Sequence, residues 1–98
     1  MKRSEKQHIL QELAGSKDRL FSKYGIKEMA IFGSVSREDN TDKSDLDVLV
    51  DFDRPIGIEF IDLADELEAL LNVKIDLVSK GGLKEKYFRV IQKDLAYV

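Results

Sequence analysis

Residues 29–52 read MAIFGSVSREDNTDKSDLDVLVDF, and this stretch decides the fold. Two apolar runs, Met29-Ala30-Ile31-Phe32 and Leu46 with Val48-Leu49-Val50, read as strands, and the polar segment between them is bounded by Gly33-Ser34 and Asp45-Leu46-Asp47. Gly and Ser directly after a strand expose backbone amides and a hydroxyl where a helix can begin, which suits phosphate. Carboxylates at i and i+2 on a strand share one face, which suits a hard divalent cation. A phosphate cradle and a cation clamp held at fixed separation make a nucleotide site.

The pattern continues outward on both sides. Ser4 and Gln7 have capping-box spacing and open a helical pattern. Its stripe is Ile9, Leu10, Leu13, Leu20, Phe21 and Tyr24, and Gly25 supplies the stop. Residues 26–32 read as the first strand, 34–38 as a short helix, 39–44 as a polar loop and 46–52 as the second strand. The near-continuous apolar character of 46–52 predicts a strand covered on both faces at its start. After the turn Asp53-Arg54-Pro55-Ile56-Gly57, Phe60, Leu63, Ala64, Leu67, Leu70 and Leu71 follow helical spacing, and Asn72 terminates the helix. Val73–Val78 reads as a third strand, with Asp76 facing away from Ile75 and Leu77. Gly81-Gly82 precedes a last helix predicted over 83–96, burying Leu83, Tyr87, Val90, Ile91 and Leu95. This order predicts a small α/β (α+β) domain of three to four strands flanked by helices, with residues 1–98 as one unit.

Bulk properties set the frame. The chain has 98 residues, 43% hydrophobic content and no cysteine, which excludes a disordered chain, a disulfide framework and a zinc–thiolate site. No apolar run approaches the ~20 residues of a membrane span, and the N-terminal charges lack the apolar block of a secretory signal. An intracellular, cytoplasmic protein is expected. Sixteen basic and nineteen acidic residues give a net charge of -3, which argues against a protein that grips nucleic acid by phosphate neutralisation alone.

The quoted residues resemble the minimal nucleotidyltransferases of the DNA polymerase β-like superfamily. That family's hallmark is Gly-Ser, about ten residues, Asp-x-Asp and a third Asp on a later strand. The matching positions are Gly33, Ser34, Asp45, Asp47 and Asp76. Within the superfamily the run Ser44–Phe52 looks most like the antitoxins of HEPN–MNT toxin–antitoxin pairs, which adenylylate a tyrosine of a HEPN ribonuclease. The family pattern Gly-Ser-x-Ala-Arg-Gly appears as Gly33-Ser34-Val35-Ser36-Arg37-Glu38, so Arg37 matches and Glu38 replaces a residue free in its backbone angles.

The resemblance implies transfer of AMP from ATP with two magnesium ions ~4 Å apart. Asp45, Asp47 and Asp76 are the expected catalytic and metal-ligating set, with Asp76 nearest the attacking hydroxyl. Gly33, Ser34 and Arg37 are the expected nucleotide contacts, the guanidinium matching phosphate oxygens. Each has a plainer reading. Gly33-Ser34 alone is a turn, Asp45-x-Asp47 alone is a solvated loop edge or a helix cap, and Asp76 alone is an exposed strand carboxylate. Asp51 shares the strand face of Asp47 but lies further along it, as a structural or supporting residue. Asp39 and Asp42 solvate the loop, His8 is incidental, and Tyr24, Tyr87 and Tyr97 read as packing residues. The leading expectation is a protein adenylyltransferase acting as an antitoxin on a HEPN-type toxin. The alternatives are an antitoxin that neutralises its partner by occupancy, and a transferase acting on a small molecule such as an aminoglycoside.

Overall fold

The structure, a computed structural model, describes residues 5–98, so the expected Ser4–Gln7 capping box lies partly outside the described residues. The long helix α1 spans Glu5–Tyr24 and buries Ile9, Leu13, Leu20 and Tyr24, the predicted stripe. Gly25, at φ 68°, turns the chain in the left-handed region after it. Strand β1 (Ile26–Phe32) and strand β2 (Leu46–Phe52) pair antiparallel, with Phe32 opposite Asp47 and Ile26 opposite Phe52. A bulge between Ile26 and Glu28 shifts the alternation by one residue, so Ile26, Met29 and Ile31 all join the core.

Helix α2 (Gly33–Arg37) follows β1 directly, and helix α3 (Glu59–Leu71) carries the chain from β2 to strand β3 (Ile75–Ser79). That connection makes β3 parallel to β2, with Asp47 opposite Asp76. Leu63 and Leu67 of α3 are fully buried, and truncating either to Ala would cost about 2–5 kcal/mol. Asn72 ends α3 at φ 53°, as its position predicted. The third strand begins two residues later than expected. Val73 and Lys74 form its approach, where the Lys74 carbonyl accepts from the Leu46 amide at 2.9 Å.

The predicted last helix is the main correction. Helix α4 covers only Glu85–Ile91, a 3-10 turn takes Gln92–Asp94, and a short strand β4 (Ala96–Tyr97) pairs antiparallel with β1. The unpaired edge of β1 outcompetes continued helix: Tyr97 lies opposite Ala30, Ala96 opposite Ile31, and the Val98 amide donates to the Met29 carbonyl at 2.9 Å. The predicted buried side also fails in part, since Tyr87 and Val90 are exposed while Phe88 and Ile91 are partly covered.

The sheet order is β3-β2-β1-β4. One face packs on α1 and α3 around Leu46, Val48, Val50, Met29 and Ile31. The other carries Asp47 and Leu49 of β2 and Ala30 and Phe32 of β1, by strand alternation. Lys80, after β3, pairs with Glu28 at 3.9 Å, which brings the start of the α4 crossover onto this second face. Ala30 and Leu49 are buried there, so β2 is covered on both sides at its middle, while at its start, where the coverage was expected, Asp47 is only half-buried. Among the described residues no helix is long and apolar enough to cross a membrane.

Candidate active site

The site forms where β1 ends and β2 and β3 begin. Gly33 has φ 74°, and a Cβ on it would collide with Asp47 Oδ2 and sit 3.1 Å from Asp47 Cγ. The turn after β1 is therefore built against the Asp47 carboxylate, and glycine is required for conformation and for space. Ser34 is half-buried in the first turn of α2, and its carbonyl accepts from the Asp39 amide at 3.0 Å. Glu38 closes α2 at φ 64°, ψ 29°, the left-handed geometry in which the family pattern has glycine. The loop keeps that shape with a side chain in place.

The three aspartates occupy adjoining positions. Asp47 is half-buried in β2, the exposed Asp76 sits beside it across the parallel pair, and the exposed Asp45 immediately precedes β2. Burial, reinforced by the charge and hydrogen-bonding contact of Asp76 and then by Asp45, pushes the Asp47 carboxyl up to about 6. The positive charge of Arg37 acts in the opposite direction. A group that cannot shed its proton cheaply beside other carboxylates is characteristic of a place where a cation belongs. Among the described residues no three acidic, imidazole or thiolate groups are already drawn into a closed metal cage. Asp47 and Asp76 lie side by side across the strand pair, while Asp45 influences Asp47 through its charge. These all-oxygen donors fit magnesium, which keeps several waters and takes only one or two carboxylates together with substrate phosphates.

Arg37 differs from the free phosphate contact expected of it. Its Nε donates to Asp39 Oδ2 at 3.0 Å and its Nη1 to Asp94 Oδ2 at 2.9 Å. The hydroxyl of buried Ser36 also donates to the Asp94 carbonyl. Neither Asp94 nor Ser36 was marked by the motif. The one trace in the sequence is Ser36 standing where the family pattern has alanine. Asp51 pairs opposite Glu28, about 13 Å along β2 from Asp47 at ~3.3 Å per residue. It lines a separate groove of about 720 Å³ with Phe52, Arg54, Phe60 and Ser79, so it is not drawn into the aspartate cluster. His8 is exposed on α1. Of the tyrosines only Tyr24 packs inside; Tyr87 and Tyr97 are exposed, contrary to expectation.

Comparison with known proteins agrees with this geometry. The family described as "Nucleotidyltransferase domain" matches residues 12–96. A candidate protein adenylyltransferase of Methanocaldococcus jannaschii, MJ0128, is 47% identical over 81 residues, covering 81% of this chain and 83% of its own. The protein adenylyltransferase MntA of Thermococcus cleftensis is 38% identical over 87 residues, covering 88% of each. Among solved structures, a candidate minimal nucleotidyltransferase superposes with a TM-score of 0.72 at 28% identity, covering 89% of this chain and 93% of its own. A toxin–antitoxin complex with AMP-PNP shares the fold at a TM-score of 0.71 and 20% identity, covering 85% of this chain and 69% of the matched one. The chain belongs to the nucleotidyltransferase domain family, as a minimal nucleotidyltransferase of the polymerase β-like superfamily. It is an enzyme of the nucleotidyltransferase type.

Proposed function

We propose that this protein is a cytoplasmic antitoxin that transfers AMP from ATP to a tyrosine hydroxyl of a HEPN-type toxin, with magnesium as cofactor. The observation that carries the reading is the abutment of the Gly33 turn on Asp47 with Asp76 directly across the strand pair. A glycine turn of the kind that suits phosphate and a pair of carboxylates within one strand width support this reading. The family match over residues 12–96 supports residues 1–98 as a single domain. The relative named MntA, and a related fold solved as an MNT antitoxin with a tri-AMPylated Shewanella oneidensis HEPN toxin, support the acceptor class.

In this reading the Gly33-Ser34 amides and the Ser34 hydroxyl hold the β- and γ-phosphates, with Arg37 at the rim. Asp45, Asp47 and Asp76 would hold the metal, with Asp76 on the side of the acceptor. Magnesium, when bound, neutralises charge on the triphosphate and makes the acceptor hydroxyl more acidic. The acceptor oxygen forms a bond to the α-phosphorus, the α–β phosphoanhydride bond breaks, and pyrophosphate leaves. The acceptor proton passes to the Asp76 carboxylate, and the rest of catalysis is alignment and charge compensation.

The decisive measurement is the intact mass of a HEPN-type toxin after incubation with this protein, ATP and magnesium. The expected result is gain of AMP units on tyrosine. Asp76→Asn should lower transfer by at least ~100-fold while calorimetric binding of AMP-PNP with magnesium survives. A partner silenced with no gain of mass would replace this reading with neutralisation by occupancy.

A further inference from the structure

We infer that Asp94 is a positioning residue of the nucleotide site, clamping Arg37 so that its guanidinium is set in place before the triphosphate arrives. The inference rests on the proposed function through the assignment of Arg37 to phosphate. Asp94 grips α2 twice. Its carboxylate takes Arg37 Nη1 at 2.9 Å, and its carbonyl takes the hydroxyl of Ser36, the neighbouring residue. The Asp94 side chain is only 11% exposed, against 46% for Arg37 and 59% for the other partner, Asp39. The less exposed partner is the one better able to define direction, because exposed pairs are screened and mobile.

Asp94 is itself held independently of Arg37. Its 3-10 turn closes with the Leu95 amide on the Gln92 carbonyl at 3.3 Å, and β4 then pairs with β1 only a few residues before α2 begins. Arg37 is thus referenced to β1, the strand that leads directly into Gly33. The two ion pairs use two of the five N–H donors of a guanidinium, which leaves the fork able to meet a phosphate. Arg37 already acts electrostatically on Asp47, so the held position lies within range of the carboxylate cluster. A flexible arginine surrenders rotamer freedom when it engages a ligand, and fixing it in advance removes that cost from binding. Ser36, standing where the family pattern has alanine, supplies the second attachment.

The test uses the whole chain and AMP-PNP with magnesium. Calorimetry should find Asp94→Asn about five- to tenfold weaker in nucleotide affinity, with the melting midpoint near wild type. Asp94→Glu should recover part of the loss. In an Arg37→Gln background, Asp94→Asn should add nothing, since it acts through the guanidinium. Nitrogen-15 spectra of the nucleotide-free protein should show slowly exchanging Arg37 Nη1 hydrogens that broaden in Asp94→Asn. The clamp is overturned if Asp94→Asn weakens binding equally with and without Arg37, if Arg37→Gln leaves affinity unchanged, or if the Nη1 signal is indifferent to Asp94. Intact coupling in binding together with no transfer to the HEPN partner would instead overturn the acceptor reading alone.

Discussion

Glu38 holds a backbone conformation that its own side chain opposes. At φ 64° it sits in the left-handed region, where a residue with a Cβ is worse off by roughly 1–2 kcal/mol than glycine. Glycine returns part of that through greater freedom of the unfolded chain, so Glu38→Gly should stabilise by about 0.5–1 kcal/mol. A denaturation midpoint that rises at unchanged slope would confirm it; a fall would mean that the glutamate side chain compensates for its backbone. Gly33 lies in the same region but faces a wall. Gly33→Ala meets both a positive φ and the Asp47 carboxylate, so it should cost about 1–3 kcal/mol and sharply weaken AMP-PNP binding. Wild-type values in both measurements would show that the turn rebuilds around a methyl group. Positions such as Gly33, Asp45, Asp47 and Asp76 are legible in the sequence because strand alternation and turn chemistry are local. Asp94 is not, because its contacts with Ser36 and Arg37 span 58 and 57 residues.

At the scale of elements, α1 and α3 are joined by one acid. Glu66 of α3 accepts from Lys23 Nζ at 2.9 Å, from Tyr24 Oη at 2.8 Å and from Arg19. The Lys23 hydrogen bond, helped by Tyr24 and Arg19 and opposed by burial, pulls its carboxyl down to about 2. A carboxylate with a lowered folded-state pKa gives stability that is complete above the unfolded value and vanishes as pH falls through the folded one. The wild-type melting temperature should therefore fall between about pH 4.5 and pH 2. Glu66→Gln should melt lower at neutral pH and lose that component of the slope, and an unchanged acid profile would show that the tether contributes nothing. In the sequence Glu66 reads as one more acid on a solvated face, because nothing local reveals that α1 passes beside it. The truncated last helix has a similar cause. Residues 83–96 have workable helical spacing, but the free edge of β1 is a tertiary fact, and it converts the end of that segment into strand.

For the whole molecule, the stretch from Met29 to Phe52 supplies most of the antiparallel pair at the centre of the sheet, and the chain after Phe52 adds both outer strands, each by a crossover. The α3 crossover was readable, since an amphipathic helix between two apolar runs is the usual way to place strands in parallel. The return to the opposite edge was not, because β4 has only two residues and no pattern of its own. That brevity has a dynamic consequence. Cooperative units of a fold open at different free energies, and a two-residue edge strand belongs at the low end. Its release would free the Ser36 and Arg37 attachments while α1, α3 and the central strands stay closed. On warming, grip on the nucleotide should therefore decay well below the temperature at which the protein melts. In amide exchange, the Val98 amide should lose protection ahead of those in β2. If exchange follows that order, the upper temperature for nucleotide binding would be set by a two-residue strand and not by the core.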